Sequence, residues 1–269
     1  VPLNHNALVL AGRIIGDKLM ASVDENRKYW ESYAWELGGD EWSSPWGSAS
    51  LQWAITIYPR IMAALPADRI VEIAPGFGRW TSFLLGQSNS YIGIDVSPRP
   101  VAFCQRTFGR LPQRPRFVLG DGASLPEVED AHTDLVFSFD SLVHVELECI
   151  AAYAKEMYRV LRPGGYGFIH HSNMGAYESG TIPNPGWRGL TVSAENVGRE
   201  FTTTGLQVVI QERTPWVFRG ALTDCFSLVR KPFSGEVLMT SRQFTNETFI
   251  RECELATQMV ALYHPRAVA

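Results

Sequence analysis

The stretch VEIAPGFGRWT, residues 71–81, decides the fold. An apolar run ends over Glu72 to Ala74, a turn carries Gly76 and Gly78, and a helical pattern follows. Glycine is required where the backbone bends sharply or must touch a ligand. A dinucleotide-binding turn has a third glycine, in G-x-G-x-x-G. Here that place is held by Thr81, and Arg79 directly follows the second glycine. Both facts count against NAD and its pyrophosphate. Outward from this turn, short apolar runs recur at 69–74, 90–95, 116–121, 133–140, 165–171, 206–212 and 225–231. Helical patterns over 79–87, 98–108, 147–161 and 193–204 lie between them. Such alternation predicts βαβ units and a doubly wound α/β sheet of seven strands with helices on both faces. The last two runs are too close for an intervening helix, so the seventh strand should run antiparallel.

This core, residues 68–231, is flanked by two further segments. Residues 1–67 are aromatic-rich and hold five of the eight tryptophans, Trp30, Trp35, Trp42, Trp46 and Trp53. Helices are expected over 8–20 and 49–65, and turn chemistry between them, in GGDEWSSPWGSAS, suits a helical cap or mobile lid. Residues 232–269 read as an appended helix, with Phe244, Ile250, Leu255, Met259 and Leu262 near helical spacing. It is expected to cover the sheet edge or to form a homodimer contact. The formal charge of −4 argues against a nucleic-acid partner held by a basic face. No apolar run is long enough to span a membrane. The four cysteines show neither zinc spacing nor a disulfide framework. Together with an opening that lacks the features of a signal peptide, they predict a cytoplasmic protein.

Two further signals lie at strand ends. Asp95 closes the second strand, 17 residues after Gly78, where an acid can accept both ribose hydroxyls. GDGASLP, residues 120–126, follows the third strand, where an acid can meet an adenine amine. The glycine turn, Asp95, GDG at 120–122, FSFDSLVH at 137–144 and LRPGG at 161–165 occur in one order and spacing. In these the chain resembles the class I S-adenosylmethionine-dependent methyltransferases, on a Rossmann-like fold, over roughly residues 68–231. It departs at Ala74–Pro75, where that family most often has a glycine after the acid. The resemblance implies that Glu72 and Arg79 hold the methionine end of S-adenosylmethionine. Ala74 and Gly78 belong to the same binding turn, and Gly76 lets the backbone approach. Asp95 takes the ribose and Val96 the adenine face. Asp121 and Gly122 take the adenine edge, and Phe139 closes one side.

Methyl transfer to an alcohol needs a base or a metal to manage the hydroxyl proton. Asp140 and His144 follow the fourth strand, His170 and His171 the fifth, and Asp224 opens the seventh. All fall at the face where open α/β sheets bind ligands. His144 is the candidate base, with Asp140 beside it; its alternative is to line the start of the next helix. His170 and His171 point to opposite faces of one strand, so one of them is expected to reach the site. Asp224 is either a site residue or a hairpin-turn residue. Asp140, His171 and Asp224 make a candidate site for Mg²⁺ or another divalent cation. The N-terminal tryptophans interleaved with carboxylates suit a carbohydrate acceptor. Trp42 and Trp46 are expected to face it, with Trp30, Trp35 and Trp53 in the core. In this the chain resembles bacterial sugar O-methyltransferases, including those of mycobacterial methylmannose polysaccharides. The reading is thus a sugar O-methyltransferase. Its rivals are methylation of an aromatic hydroxyl or amine, and a cofactor-binding scaffold without turnover.

Overall fold

The computed structural model describes residues 22–182, 184, 187–216 and 220–263; the helix expected over 8–20 lies outside them. Chain order runs α1 (Val23–Ser32), a 3-10 segment (Asp40–Trp46), α2 (Ala49–Gln52), α3 (Tyr58–Ile61), β1 (Ala67–Ile73), α4 (Thr81–Leu85) and β2 (Ser88–Asp95). It continues through α5 (Pro98–Phe108), β3 (Arg116–Leu119), β4 (Thr133–Ser138), α6 (Leu147–Val160), β5 (Leu161–Ser172) and α7 (Ala194–Thr203). β6 (Gln207–Thr214), β7 (Asp224–Arg230), β8 (Arg242–Thr245) and α8 (Ile250–Tyr263) complete it.

One sheet results, with strand order β3-β2-β1-β4-β5-β7-β6-β8. The first five strands are parallel, and β7 is antiparallel to both β5 and β6, as expected. The strand count is eight rather than seven. Arg242–Thr245 adds an edge strand parallel to β6, so Phe244 belongs to a strand and not to the C-terminal helix. Four residues with a single apolar one among them, Phe244, carry too little periodicity to be read as a strand.

The two faces of the sheet pack two layers, as the alternation of side chains along each strand requires. Ile70, Leu135, Phe137, Phe168 and Phe226 face Ile57, Ile61, Trp53 and Leu84 on one side. Val71, Ile73, Val136, Ile169 and Val229 face Ile150, Met157, Val197 and Phe201 of α6 and α7 on the other. Full burial of each such side chain is worth about 1.5–3 kcal/mol. The helix expected over 49–65 is present but broken. A π-turn spans Trp53–Ile57 and a 3-10 turn Met62–Ala64. Pro59 lacks an N–H, and loss of that ladder bond accounts for the widened turn before it. α8 docks through its small residues Cys253 and Ala256, leaving Leu255, Met259 and Leu262 exposed. The apolar stripe of the sequence is therefore not the face that meets this chain's core. Among the described residues no helix is long and apolar enough to cross a membrane.

Candidate active site

The strand order reverses between β1 and β4, and such a switch point opens a crevice beyond the carboxyl ends of the strands. The turn after β1 builds one wall. Ala74, Gly76 and Gly78 all have positive φ, at 56°, 56° and 84°. Ala74 thus holds the left-handed conformation in which glycine is at ease, at a cost of about 1 kcal/mol. Gly78 serves packing: a Cβ there would lie 2.4 Å from the Phe108 ring of α5. Glu72 lies behind the turn, fully buried, and accepts hydrogen bonds from Thr81 Oγ1 at 2.9 Å and from the Tyr91 hydroxyl. Burial raises its carboxyl to about 7, against the pull of those two donors. It braces the turn from below and is not on the crevice wall.

The second wall comes from β2 and the loop after β3. Asp95 Oδ2 accepts the Gly76 N–H at 3.1 Å, and Oδ1 accepts the Ser97 N–H at 2.9 Å. Val96 and Gly122 line the crevice beside Asp95, with Cys149 and Tyr153 of α6 behind them. Asp121 turns away: it is exposed, and its carboxylate accepts from the amides of Ala123 and Ser124 and from the Ser124 hydroxyl. Those amides hold its carboxyl below the usual range. It therefore caps its own turn and does not line the crevice.

The N-terminal segment closes the crevice from above. Trp30, Trp35 and Trp42 all line it, and Trp35 stacks on Phe77 at 4.7 Å. With Tyr33 these rings form one cluster, with neighbouring centroids 5.3–5.8 Å apart. Trp46 instead is buried, against Trp216 and Phe249, and donates to Thr56 Oγ1. So Trp30 and Trp35 face the crevice and Trp46 is core, which reverses the expectation for these three. Glu31 latches this segment to the rim by accepting from the Ser97 hydroxyl and the Arg99 N–H. Asn26 donates to the His144 carbonyl at 3.0 Å. The cavity left is about 100 Å³, below the roughly 300–1,000 Å³ of small-molecule sites.

The loop after β4 supplies the polar groups. Asp140, at φ 64°, pairs with Arg79 Nη2 at 2.7 Å, and both line the crevice with Phe139. The Arg79 guanidinium lies over the Trp80 and Trp42 rings, at 4.5 and 5.4 Å. His144 is buried, 8% exposed. Its Nδ1–H donates to the Trp187 carbonyl at 3.3 Å, which leaves the lone pair on Nε2. Burial, then the nearby Arg188 charge, depress this imidazole to about 4. His144 is outside the crevice wall itself. Its neighbours Ser141, Leu142 and Val145 are on that wall, and the Trp30 ring packs 5.5 Å from it.

The expected metal site is not assembled. His171 faces away from His170, and both its ring nitrogens are engaged, with the Ser172 carbonyl at 2.7 Å and Ser227 Oγ at 2.8 Å. Asp224 Oδ2 instead meets His170 Nε2 at 2.8 Å, and both its oxygens receive Arg188. Burial alone would raise the Asp224 carboxyl, but Arg188 and His170 hold it well below the usual range. Asp140 is taken by Arg79. Among the described residues no three His, Cys, Asp or Glu side chains are grouped to hold a metal ion. Arg188, which turns Asp224 into an ion-pair partner, carried no signal in the sequence because it lies in a loop between α-helix and strand patterns.

Residues 70–165 match the family described as a methyltransferase domain. The chain is 36% identical over 121 residues to "Probable phthiotriol/phenolphthiotriol dimycocerosates methyltransferase 2" of Mycobacterium ulcerans, covering 42% of this chain and 43% of that protein. It is 28% identical over 167 residues to a "Probable S-adenosylmethionine-dependent methyltransferase" of Mycolicibacterium smegmatis, covering 61% of each. The matches thus span less than two thirds of these relatives. A solved S-adenosylmethionine-dependent methyltransferase of Clostridium acetobutylicum superposes with a TM-score of 0.55 at 13% identity, over 69% of this chain and 93% of that one. The crevice suits that family's cofactor: a carboxylate at the end of β2, left-handed glycines beside it, an apolar slot at Val96 and Gly122, and a charged pair at Arg79 and Asp140. The chain has a Rossmann-like α/β fold shared with solved S-adenosylmethionine-dependent methyltransferases, and its residues 70–165 match the methyltransferase-domain family.

Proposed function

We propose that the chain transfers the methyl group of S-adenosylmethionine to a hydroxyl of a sugar or small oligosaccharide, with His144 as general base. The observation that carries this reading is the His144 imidazole. It is held neutral by burial, and its Nδ1–H is tied to the Trp187 carbonyl, which leaves the lone pair on Nε2 as the proton acceptor, directly behind the wall residues Ser141, Leu142 and Val145. S-adenosylmethionine, when bound, supplies a methyl group activated by its sulfonium. Ala74, Gly76, Asp95, Val96 and Gly122 would hold the nucleoside, and Arg79 the charged amino-acid end. An acceptor hydroxyl held beside the crevice would give up its proton to His144 Nε2 and thence to water, the cofactor leaving as S-adenosylhomocysteine. The Trp30, Trp35 and Trp42 rings offer flat apolar faces on which the C–H faces of a sugar can stack, and they exclude water when the segment closes.

A second acceptor class draws on the relatives. The Mycobacterium ulcerans relative is named for phthiotriol and phenolphthiotriol dimycocerosates, and an aromatic-lined crevice also suits a long-chain alcohol. The base chemistry is the same for both. The test is calorimetric titration with S-adenosylhomocysteine, then methyl transfer screened over saccharides, long-chain diols, phenols and amines. Transfer to a saccharide, with His144→Gln lowering kcat about 10²–10⁴-fold at unchanged S-adenosylhomocysteine affinity, is the expected result. Transfer confined to diols selects the lipid acceptor. Transfer confined to phenols or amines, or full activity in His144→Gln, overturns the proposal.

A further inference from the structure

Asp140 sits on the crevice wall in a backbone conformation that residues other than glycine seldom adopt, φ 64°. Something must hold it there. Its N–H donates to His170 Nδ1 at 3.3 Å. That bond fixes Nδ1 as the acceptor, so the ring proton is on Nε2 and donates to Asp224 Oδ2 at 2.8 Å. Asp224 is itself gripped by Arg188 Nε and Nη2 at 3.1 and 2.9 Å. His170 and Asp224 are wholly buried. The imidazole is boxed by the Phe139, Trp216 and Phe226 rings, with centroids 4.7–4.8 Å away. It can neither turn nor reach the crevice.

We propose that His170 is a positioning residue. Locked in one tautomer by Asp224, it pins the Asp140 amide in the left-handed conformation and so aims the Asp140 carboxylate at Arg79. An imidazole whose two nitrogens have fixed opposite roles is a rigid spacer between a buried ion pair and a residue of the crevice wall. Without the pin, Asp140 relaxes toward ordinary backbone angles and Arg79 loses its partner on the cofactor side of the crevice. The inference rests on the family's cofactor and on geometry, not on the acceptor or on His144 as base.

Two replacements separate positioning from mere core packing. His170→Asn places an oxygen near the Nδ1 position and keeps the acceptor for the Asp140 N–H, while giving up Asp224. His170→Gln places its amide near the Nε2 position, keeps the donor to Asp224, and gives up Asp140. Binding of S-adenosylhomocysteine is measured by calorimetry on the full chain, with thermal unfolding recorded for each variant. The expected result is affinity within about threefold of the parent for His170→Asn and about tenfold weaker for His170→Gln, whatever their order of stability. If affinity instead follows stability, with His170→Gln the better binder, His170 is only a satisfied core residue and the proposal fails. Arg79→Met in the parent background should weaken binding by at least as much as His170→Gln; unchanged binding there also overturns it.

Discussion

Replacing His144 by glutamine removes one buried titration, and its effect on stability can be worked out beforehand. An exposed imidazole titrates near 6.5, and burial and Arg188 bring that of His144 to about 4. As pH falls through 6.5 the unfolded chain takes up this proton and the folded chain does not. Stability attached to neutral His144 is therefore full above about 6.5 and is lost progressively until both states are protonated below about 4. At about 1.4 kcal/mol for each tenfold difference in proton affinity, the total loss is about 3 kcal/mol. The assay is urea unfolding of the parent and of His144→Gln at pH 7.5, 6, 5 and 4.5. Glu72, raised to about 7, titrates in the opposite sense, losing stability as pH rises from about 4.5 to 7. It is present in both proteins and cancels in the difference. The parent should lose about 2–3 kcal/mol relative to the variant between pH 7.5 and 4.5. Parallel curves would mean that His144 is accessible to protons in the folded state, which removes the reason to treat it as a neutral base.

Gly78→Ala should destabilise the chain by about 3 kcal/mol, since it combines φ 84° with a contact of 2.4 Å to Phe108; a shift under about 1 kcal/mol in urea unfolding would show that α5 can give way. Glu31→Ala should unlatch the aromatic segment from Ser97 and Arg99. Stopped-flow tryptophan fluorescence should then show S-adenosylhomocysteine associating about fivefold faster, the effect of about 1 kcal/mol of lost hydrogen bonding. An unchanged rate would mean that opening does not limit entry.

The glycine turn and the strand ends were legible because their chemistry is local. Gly76, Gly78 and Asp95 lie within one βαβ unit, and the period of the runs alone placed seven strands and the antiparallel β7. What the sequence could not show depended on partners far along the chain. Nothing in HHSN tells which histidine meets Asp224, because that follows from the β5–β7 register, His170 opposite Phe226 and Ser172 opposite Asp224. Asp121 reads as a ligand in the sequence and in the structure caps its own turn, since an acid before Gly-Ala-Ser can fill either role. The tryptophans were misassigned for a related reason. Turn residues around Trp46 suggested exposure, yet Phe249 and Trp216, roughly two hundred positions away in sequence, cover it.

The Arg60 guanidinium binds Glu212 of β6 and Glu252 of α8, and Glu252 also accepts from Thr56, 196 positions away in sequence. During synthesis the helical stretch from Ala49 to Ala64 is therefore made first and completed last. One of its two charged partners, Glu252, lies 192 positions beyond Arg60 and does not exist until that stretch has been made. Contacts of such long range are slow to form and arrive late in folding. The sheet from β1 to β5 can assemble beforehand, but the foundation beneath the aromatic segment waits for the C-terminal helix. A chain interrupted before Glu252 would then lack this anchor beneath the aromatic segment, so support of the closed site is tied to synthesis through α8.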